Sequence, residues 1–303
     1  MTAVSVNNII KTYGKKKDVV TALQDISFDV KQGELFGIIG PDGAGKTSLF
    51  RILTTLLLAD SGAAMVDGYD VVKDFKEIRK RVGYMPGKFS LYQDLTVQEN
   101  LDFFATIFNS SIQENYELIK DIYQQIEPFK DRPAGKLSGG MKQKLALSCA
   151  LIHRPSVLFL DEPTTGVDAV SRKEFWEMLK RLKEQGITIL VSTPYMDEAS
   201  LCDRVVLMQT GKILSINTPA GIVNNFGKAL WAVRSSNMLH LLNDIKQLQG
   251  VDNAYPSGTY HHMVLKDGYD NKLLQQLNAG NKELEIKHVQ PNIEDCFMQL
   301  MRS

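Results

Sequence analysis

The chain has 303 residues, of which 44% are hydrophobic and 23% are charged, so it contains enough apolar sequence for one large or two modest cores. Its 35 basic and 35 acidic side chains balance, which gives no reason to expect a nucleic acid or an anionic lipid surface as a partner. The longest apolar runs, such as 56–59 and 157–160, are far shorter than the roughly 18 residues of a membrane span. The amino terminus lacks a secretory-signal pattern, so we expect a cytoplasmic protein. Cys149, Cys202 and Cys296 form no CxxC pair, and we expect three reduced, mostly buried thiols.

Short β-rich runs alternate with helical segments along most of the chain, which is typical of an α/β domain with largely parallel strands. Two segments with alternating apolar residues, Val4 to Ile10 and Ala22 to Val30, predict antiparallel strands with one exposed face. Buried strands are predicted for the apolar runs LFGII, VGYM, VLFL and ITILVS. Between Thr96 and Glu127 the apolar residues lie on one helical stripe, which predicts an all-helical insert at about 88–152.

After Thr218-Pro219 the alternation restarts on a smaller scale. Strands are predicted for LWAVRSS, HHMVLKD and LEIKHV, and helices for MLHLLNDIKQL, NKLLQQLN and the segment from Ile293. We therefore predict a first domain at 1–225 and a small α+β domain at 226–303.

A glycine-rich segment, GPDGAGKTS, follows the apolar strand LFGII directly and fits the pattern GxxxxGK[ST]. Glycines let the backbone bend so that successive N–H groups point at phosphate, and the helix that starts there adds its positive dipole end. Lys46 would reach the terminal phosphates and Thr47 would bind Mg²⁺. An ordinary glycine turn before a helix is the alternative. The predicted phosphate loop comprises Gly40, Pro41, Asp42, Gly43, Ala44, Gly45, Lys46, Thr47 and Ser48.

A buried strand, VLFL, ends in two carboxylates, Asp161 and Glu162, at the edge where α/β sheets bind ligands. We predict that Asp161 holds Mg²⁺ through water and that Glu162 is the general base, with Lys46 as the other catalytic side chain. An exposed acidic turn is the alternative.

A third segment, KLSGGMKQKLALSCALI, begins with Ser138, Gly139 and Gly140 and continues as a long helix. A helix start with free N–H groups and a serine hydroxyl is an anion site. A simple N-cap explains Ser138 but gives no reason for two glycines, which weaken a helix.

Together, the phosphate loop, LSGGM and the Asp-Glu strand end resemble the nucleotide-binding domain of ATP-binding cassette (ABC) proteins, over about 1–225. The resemblance implies the phosphate-loop NTPase fold, with a RecA-like, mostly parallel sheet, an antiparallel β subdomain and an all-helical subdomain. It also implies ATP and Mg²⁺ as cofactors. Two such domains would pair head to tail, so that Ser138, Gly139 and Gly140 contact the partner's ATP.

Two further positions are assigned by the same resemblance. Tyr13 matches the aromatic residue that stacks on adenine, although a strand-end tyrosine is the alternative. Asp168, in TTGVD, matches a loop that crosses to the opposite site, with an N-cap role as its alternative. The C-terminal β/α unit is similar to that of bacterial multidrug and antibiotic exporters of the ABC-2 type.

The chain departs from the family at two positions. Gly87 stands where the family has a glutamine that contacts Mg²⁺ and the attacking water, and Pro194 stands where a histidine hydrogen-bonds the γ-phosphate. Neither residue has a side-chain donor. Because one lost transition-state donor typically costs about 10² to 10³ in rate, we expect slow hydrolysis at this phosphate loop. Compensation by Lys88 or Gln93 is the alternative.

These features predict the ATP-hydrolysing subunit of an exporter. It would work with a second, different ABC subunit and attach to the inner face of the membrane through a polytopic permease, which would contact Phe89, Leu91, Tyr92 and Leu95. The same four residues could instead be core of the helical insert. A soluble non-transport ABC ATPase and a binding-only regulatory subunit are the alternative functions.

Overall fold

The computed structural model describes residues 1–14, 18–266, 268–269 and 283–302. The chain divides into two units, Met1–Pro219 and Ala220–Ser303. The domain limits predicted from the sequence, 1–225 and 226–303, stay predictions. Within the described residues, no helix combines the length and the apolar character that crossing a bilayer requires.

The first unit contains strands and helices in alternation. Its strands are β1 (Thr2–Tyr13), β2 (Val20–Lys31), β3 (Leu35–Ile39), β4 (Ser61–Val66), β5 (Tyr69–Asp70), β6 (Val82–Met85), β7 (Val157–Asp161), β8 (Thr188–Thr193), β9 (Arg204–Gln209) and β10 (Lys212–Asn217). Its helices are α1 (Lys46–Leu53), α2 (Phe75–Arg81), α3 (Val97–Ile107), α4 (Tyr116–Tyr123), α5 (Gly139–Leu151) and α6 (Ala169–Glu184), and α7 (Pro219–Asn224) follows β10.

A mostly parallel sheet with strand order β10-β9-β3-β8-β7-β6 forms the centre of this unit. Strands β9, β3, β8, β7 and β6 pair in parallel, and β10 adds an antiparallel edge. Strands β3, β7 and β8 are buried along their whole length, as their uninterrupted apolar sequences predict. Their carboxyl ends therefore meet at one edge of the sheet, where the predicted site residues follow.

A second, antiparallel sheet with the order β2-β1-β4-β5 packs across the first. Helix α1 contributes Leu49, Phe50, Ile52 and Leu53 to the apolar core that both sheets share. The Phe50 ring lies edge-on to Phe159 of β7, with ring centroids 5.5 Å apart. This packing fixes the amino end of α1 beside the ends of β3 and β7.

Helices α3, α4 and α5 form the predicted helical insert. The predicted helical stripe is interrupted between α3 and α4, where Asn109 has a φ of 51°. Helix α3 starts with a capping box, in which Thr96 and Glu99 bond each other's backbone N–H groups. Together with the two sheets, this insert confirms the predicted fold class.

The second unit contains β11 (Leu230–Arg234), α8 (Met238–Gln247), β12 (Val251–Ser257), β13 (Tyr260–Leu265), β14 (Glu285–Val289) and α9 (Ile293–Leu300). Its strands form an antiparallel sheet with the order β12-β13-β11-β14. Helix α8 packs on one face with a small apolar core that includes Val233, Leu241 and Met263. The predicted helix NKLLQQLN lies outside the described residues.

Candidate functional site

The predicted phosphate loop connects the end of β3 to the start of α1. Gly43 and Gly45 have φ values of 80° and 102°, in the left-handed region that favours glycine. A Cβ at Gly45 would lie 2.4 Å from the carbonyl oxygen of Ala22, so no larger residue fits there. The loop curves around a cavity of about 350 Å³, whose lining comprises Asp42, Gly43, Ala44, Gly45, Lys46, Thr47, Ser48, Ala22 and Glu162.

The ammonium group of Lys46 lies inside this loop. It donates to the carbonyl oxygens of Gly40 at 2.7 Å and Pro41 at 3.1 Å, and it lies 3.1 Å from Oε1 of Glu162. The Lys46 side chain is only 3% exposed. A phosphate entering the loop would meet an ammonium group that already pairs with a carboxylate, so nucleotide binding requires that this ion pair rearrange.

The backbone of Glu162 has a φ of 50°, which is unusual for a residue with a side chain. Its amide donates to both the carbonyl oxygen (3.0 Å) and the hydroxyl (3.1 Å) of Ser192 at the end of β8. These bonds hold a strained conformation in place, as is common at functional sites. Glu162 thus projects from the end of β7 toward the phosphate loop.

Asp161 is 2% exposed, and its Oδ1 accepts a hydrogen bond of 2.5 Å from the Ser192 hydroxyl. Burial raises the pKa of nearby Tyr84 to about 12, and the negative charge of Asp161 adds to this effect. Among the described residues, no group of three carboxylate, histidine or cysteine side chains could hold a metal ion. The donor set here is one carboxylate and the Thr47 hydroxyl, which are hard oxygen ligands and fit a Mg²⁺ that arrives with a nucleotide and keeps several waters.

The LSGGM segment and the TTGVD loop lie beside each other. The hydroxyl of Ser138 caps α5 by accepting from the amide of Met141 at 3.4 Å, which is long for a hydrogen bond. A Cβ at Gly139 would lie 3.7 Å from the carbonyl oxygen of Gly166, and a Cβ at Gly140 would lie 3.1 Å from the hydroxyl of Ser171. The first distance is an ordinary van der Waals contact, whereas a larger residue at Gly140 would require the Ser171 side chain on α6 to shift slightly.

Asp168 is the N-cap of α6, where its carboxylate accepts from the amides of Val170 at 3.1 Å and Ser171 at 3.0 Å. The hydrogen bonds from Ser171 are the largest cause that lowers the pKa of Asp168. The N-cap alternative for Asp168 is therefore present within this chain. Its predicted contact with an opposite site stays a prediction.

Gly87, one of the two departures from the family pattern, lies beside the carboxylates. A Cβ at this position would be 3.1 Å from the carbonyl oxygen of Asp161 and 3.8 Å from Cβ of Glu162. A cavity of about 240 Å³ lies here, with Gly87, Gly139, Lys142, Gln143 and Glu162 in its lining. A side chain at residue 87 would therefore enter the space next to Glu162.

Pro194, the other departure, directly follows β8 and so lies one residue beyond the strand end at the same sheet edge. The neighbouring hydroxyl of Thr193 donates to Glu198 at 2.5 Å and accepts from the amide of Tyr195 at 3.1 Å. Proline has no N–H, so residue 194 offers no donor to a phosphate.

His153 is the one histidine of the first unit, and it does not replace the missing histidine. Its Nε2 lies 3.1 Å from the carbonyl oxygen of Val82, and its ring stacks on Phe108 at 3.8 Å. Burial lowers its pKa to about 4. Because Val82 is the first residue of β6, His153 lies at the other end of the parallel strands from Glu162.

Tyr13 lies at the end of β1 next to the phosphate loop. Its hydroxyl forms a 3.0 Å hydrogen bond with the Ser48 hydroxyl, and the residue is 40% exposed. Its predicted role in stacking on adenine stays a prediction.

Sequence reasoning missed two polar residues of this region. Ser192 bonds both Asp161 and Glu162, and Glu198 accepts hydroxyl hydrogen bonds from Thr164 at 2.8 Å and Thr193 at 2.5 Å. The strand ITILVST carried a signal for Ser192, because adjacent parallel strands end at the same edge. Glu198 follows that strand in a short 3-10 helix, Met196–Leu201, whose position the local sequence does not specify.

Comparison with known proteins gives consistent matches. Residues 23–165 match the model of the ABC transporter domain. The chain is 37% identical over 92% of its length to the probable multidrug ABC transporter ATP-binding protein YbhF of Escherichia coli K12, and it spans about half (49%) of that protein's length. It is 32% identical to the linearmycin resistance ATP-binding protein LnrL of Bacillus subtilis, with 97% of this chain and 96% of that protein aligned.

The fold matches that of a solved ATP-binding cassette dimer, MJ0796 bound to ADP and Pi. The TM-score is 0.65 at 25% sequence identity, with 71% of this chain and 98% of that chain covered.

Proposed function

Because this chain belongs to the ABC transporter family of ATP-binding proteins, we propose that it is the ATP-binding and ATP-hydrolysing subunit of an exporter. We further propose that its own nucleotide site is degenerate and that its LSGGM helix serves the site of a different ABC subunit. The relatives named for multidrug and linearmycin resistance support the export role.

ATP binding is supported by the complete cradle at residues 40–48. The buried Lys46 ammonium group would exchange Glu162 for the terminal phosphates, and the amino end of α1 would stabilise their negative charge. Thr47 and Asp161 would hold Mg²⁺, which would neutralise phosphate charge when bound. Glu162 would accept a proton from the attacking water.

The observation that carries the degenerate-site proposal is the place of Gly87 next to Asp161 and Glu162. The neighbouring cavity is lined by Gly87 and Glu162, and glycine leaves this space beside the proposed general base without a donor or acceptor. A larger residue at 87 would require a small shift, because its Cβ would lie 3.1 Å from the carbonyl oxygen of Asp161. Pro194 removes the second donor. Two missing donors predict slow hydrolysis with nucleotide binding retained.

The defects concern only the ATP that this chain's own phosphate loop would hold. Ser138 caps the start of α5, which would face a partner's ATP together with Gly139 and Gly140. Asp168 caps the start of α6. We therefore propose a head-to-tail dimer with a different ABC subunit that carries a complete phosphate-loop site.

An apolar groove supports a membrane partner. A cavity of about 640 Å³ lies between the parallel sheet and the helical insert, with Leu56, Leu91, Phe104, Ile107 and Phe108 among its lining. Of the four residues predicted to contact a permease, Leu91 is buried and Tyr92 is 52% exposed. A short apolar helix of a permease would fill this groove and attach the subunit to the inner face of the membrane.

Co-purification tests both partners at once. The full chain, tagged and isolated in mild detergent, should retain a second ABC subunit and a polytopic membrane protein. A Leu91→Asp variant should lose the membrane protein, whereas a Leu239→Asp variant, whose side chain is 74% exposed in the second unit, should retain it. Isolation of a lone soluble chain would favour a non-transport ABC ATPase.

ATP binding is tested separately by titration with Mg-ATP. Lys46→Ala should lose at least about tenfold in affinity, since one ion-pair contact to phosphate is worth about 1.4 kcal/mol or more. Lys144→Ala removes a lysine that pairs with Glu174 at 3.0 Å outside the site, and it should bind ATP as the unchanged protein does. Equal affinity in both variants would contradict the assignment of the phosphate loop.

A further inference from the structure

We propose that Asp60 is a positioning residue for adenine recognition: its carboxylate fixes the end of β1 so that Tyr13 presents its ring to the base of ATP. The proposal rests on the proposed function, because it takes Tyr13 as the ring that stacks on adenine.

Asp60 immediately precedes β4 and bonds the residues just before Tyr13. Its Oδ2 accepts from the amide of Thr12 at 2.6 Å and from the Thr12 hydroxyl at 2.7 Å. Its Oδ1 accepts from Nζ of Lys11 at 2.7 Å, and its own amide donates to the carbonyl oxygen of Ile10 at 2.9 Å. One residue thus makes four hydrogen bonds to three consecutive residues of β1.

The end of β1 needs such support because its strand pairing weakens there. The pairing with β4 stops at Ile10 and Ser61, so β1 has no β4 neighbour from Lys11 onward. On its other side, the pairing with β2 shifts register on each side of Lys11. The amide of Thr12 therefore bonds the Asp60 carboxylate at the place where a sheet ladder would otherwise supply a carbonyl oxygen.

The same carboxylate sets the surroundings of the Tyr13 ring. It holds the Lys11 ammonium group, which lies 5.9 Å from the ring centroid. The ring is fixed at its other end by the hydroxyl contact with Ser48 on α1. Tyr13 pairs with Val20 of β2, and Asp60 positions it further through the preceding residue, Thr12, while the phosphate-loop helix holds its hydroxyl.

Hydrogen bonding favours the ionised form of Asp60, which an ordinary aspartate also adopts at physiological pH. The bond from the Lys11 side chain is the largest cause that lowers the pKa of Asp60 to about 2, followed by the bonds from Thr12. Replacement by asparagine keeps the shape but removes the charge that binds Lys11 and strengthens both bonds from Thr12.

The test compares two ligands that share the phosphate loop and differ in the base. Asp60→Asn should weaken Mg-ATP binding about threefold to tenfold. This is less than the loss of a whole base-stacking contact, because the Tyr13 ring is misplaced and not removed. Binding of Mg-tripolyphosphate, which has no base, should remain within about twofold, because Lys46 and the loop backbone are unchanged. Titration calorimetry of the full chain measures both affinities.

Asp70→Asn is the matched control. Asp70 is also a carboxylate of the antiparallel sheet that accepts from two backbone amides, those of Val72 and Lys73, both at 2.9 Å, and it lies on β5, away from Tyr13 along the sheet. It should change neither affinity. A double variant tests whether Asp60 acts through Tyr13. Tyr13→Ala should weaken ATP binding, and adding Asp60→Asn to it should weaken binding no further.

Three results would overturn the inference. Equal weakening of ATP and tripolyphosphate by Asp60→Asn would mean that Asp60 acts on the phosphate loop or on folding. If the fold-losses of ATP affinity from the two substitutions multiply in the double variant, Asp60 acts independently of Tyr13. Equal affinity of the unchanged protein for tripolyphosphate and ATP would mean that the base is not recognised, so the role of Tyr13 would be rejected too. Absence of any ATP binding would instead reject the proposed function itself.

Discussion

Lys46 and Glu162 form an ion pair inside the loop that we propose holds the terminal phosphate of ATP. The Lys46 ammonium group also bonds two loop carbonyl oxygens, so it remains in place when Glu162 moves. In the ligand-free chain, Glu162 therefore competes with phosphate for the same cation. This competition should lower the affinity for ATP, and replacing Glu162 tests it.

Glu162→Gln should tighten Mg-ATP binding. A neutral amide binds the ammonium group less strongly and does not repel the triphosphate, so we expect a dissociation constant lower by up to about tenfold, equivalent to about 1.4 kcal/mol. Glu174→Gln, which breaks the exposed pair with Lys144, is the control and should leave the affinity unchanged. Weaker binding in Glu162→Gln would show that this carboxylate assists binding instead of opposing it. Titration calorimetry or a fluorescent ATP analogue provides the readout.

At this scale, the sequence predicted the residues of a contiguous motif and missed those that approach from distant segments. Residues 40–48 could be proposed as a phosphate loop because the loop chemistry resides in neighbouring residues, and this assignment stays a prediction. Ala22 limits the space at Gly45, and Ser192 orients Asp161, yet neither lies near its partner in the chain. Their contributions depend on strand order and register, which single residue types do not specify.

Among the elements, α3 and α9 each begin with a complete capping box. The Thr96 hydroxyl accepts from the amide of Glu99 at 3.1 Å, and the Glu99 carboxylate accepts from the amide of Thr96 at 2.8 Å. This capping box orients the first turn of a helix that borders the apolar groove. Its loss should affect the helical insert first.

Thr96→Ala should destabilise the first unit by about 1 kcal/mol, the usual cost of removing a threonine N-cap. Thr106→Ala is the control on the same helix, because the Thr106 hydroxyl bonds only the carbonyl oxygen of Asp102 within α3. It should stay within about 0.5 kcal/mol. Urea unfolding followed by circular dichroism compares the two, and equal losses would show that the capping box contributes little.

The strong element patterns were predictable and the weak ones were not. Buried runs such as LFGII and VLFL became β3 and β7, because short, uninterrupted apolar runs with polar or turn residues on either side suit a strand covered on both faces. The strand Val251–Ser257 was missed, since its polar residues and Pro256 have low strand propensity. The adjacent Gly258-Thr259, a two-residue connection to β13, was a turn signal that could have revealed the hairpin.

The second unit contains a buried polar network beside its small apolar core, and this network affects the stability of the whole chain. Asp295 on α9 is 1% exposed, and its Oδ1 accepts from the Tyr255 hydroxyl at 2.8 Å and pairs with Nδ1 of His262 at 2.6 Å. Burial alone would raise the pKa of Asp295. The hydrogen bonds from His262, the amide of Asn292 and Tyr255 together outweigh burial and lower that pKa.

This network predicts a pH-dependent stability. Because the pKa of Asp295 is lower in the folded state than its unfolded value of about 3.9, its contribution is present above that pH and is lost as the pH falls through the folded value. Asp295→Asn should cost about 1–3 kcal/mol near neutral pH, and the difference from the unchanged protein should shrink below about pH 4. Asp244→Asn, in the exposed pair with His240, is the control. A difference that is constant with pH would contradict the ionised network.

We propose that the chain binds ATP and hydrolyses it slowly because Gly87 and Pro194 lack the required donors. Single-turnover hydrolysis of Mg-ATP by the purified full chain, beside Gly87→Gln/Pro194→His and Glu162→Gln, tests it most directly. We expect negligible turnover in the unchanged protein and a gain of at least about 10²-fold in the double variant, the size of one restored transition-state donor. Robust turnover by the unchanged protein that Glu162→Gln abolishes, with no gain in the double variant, would contradict it.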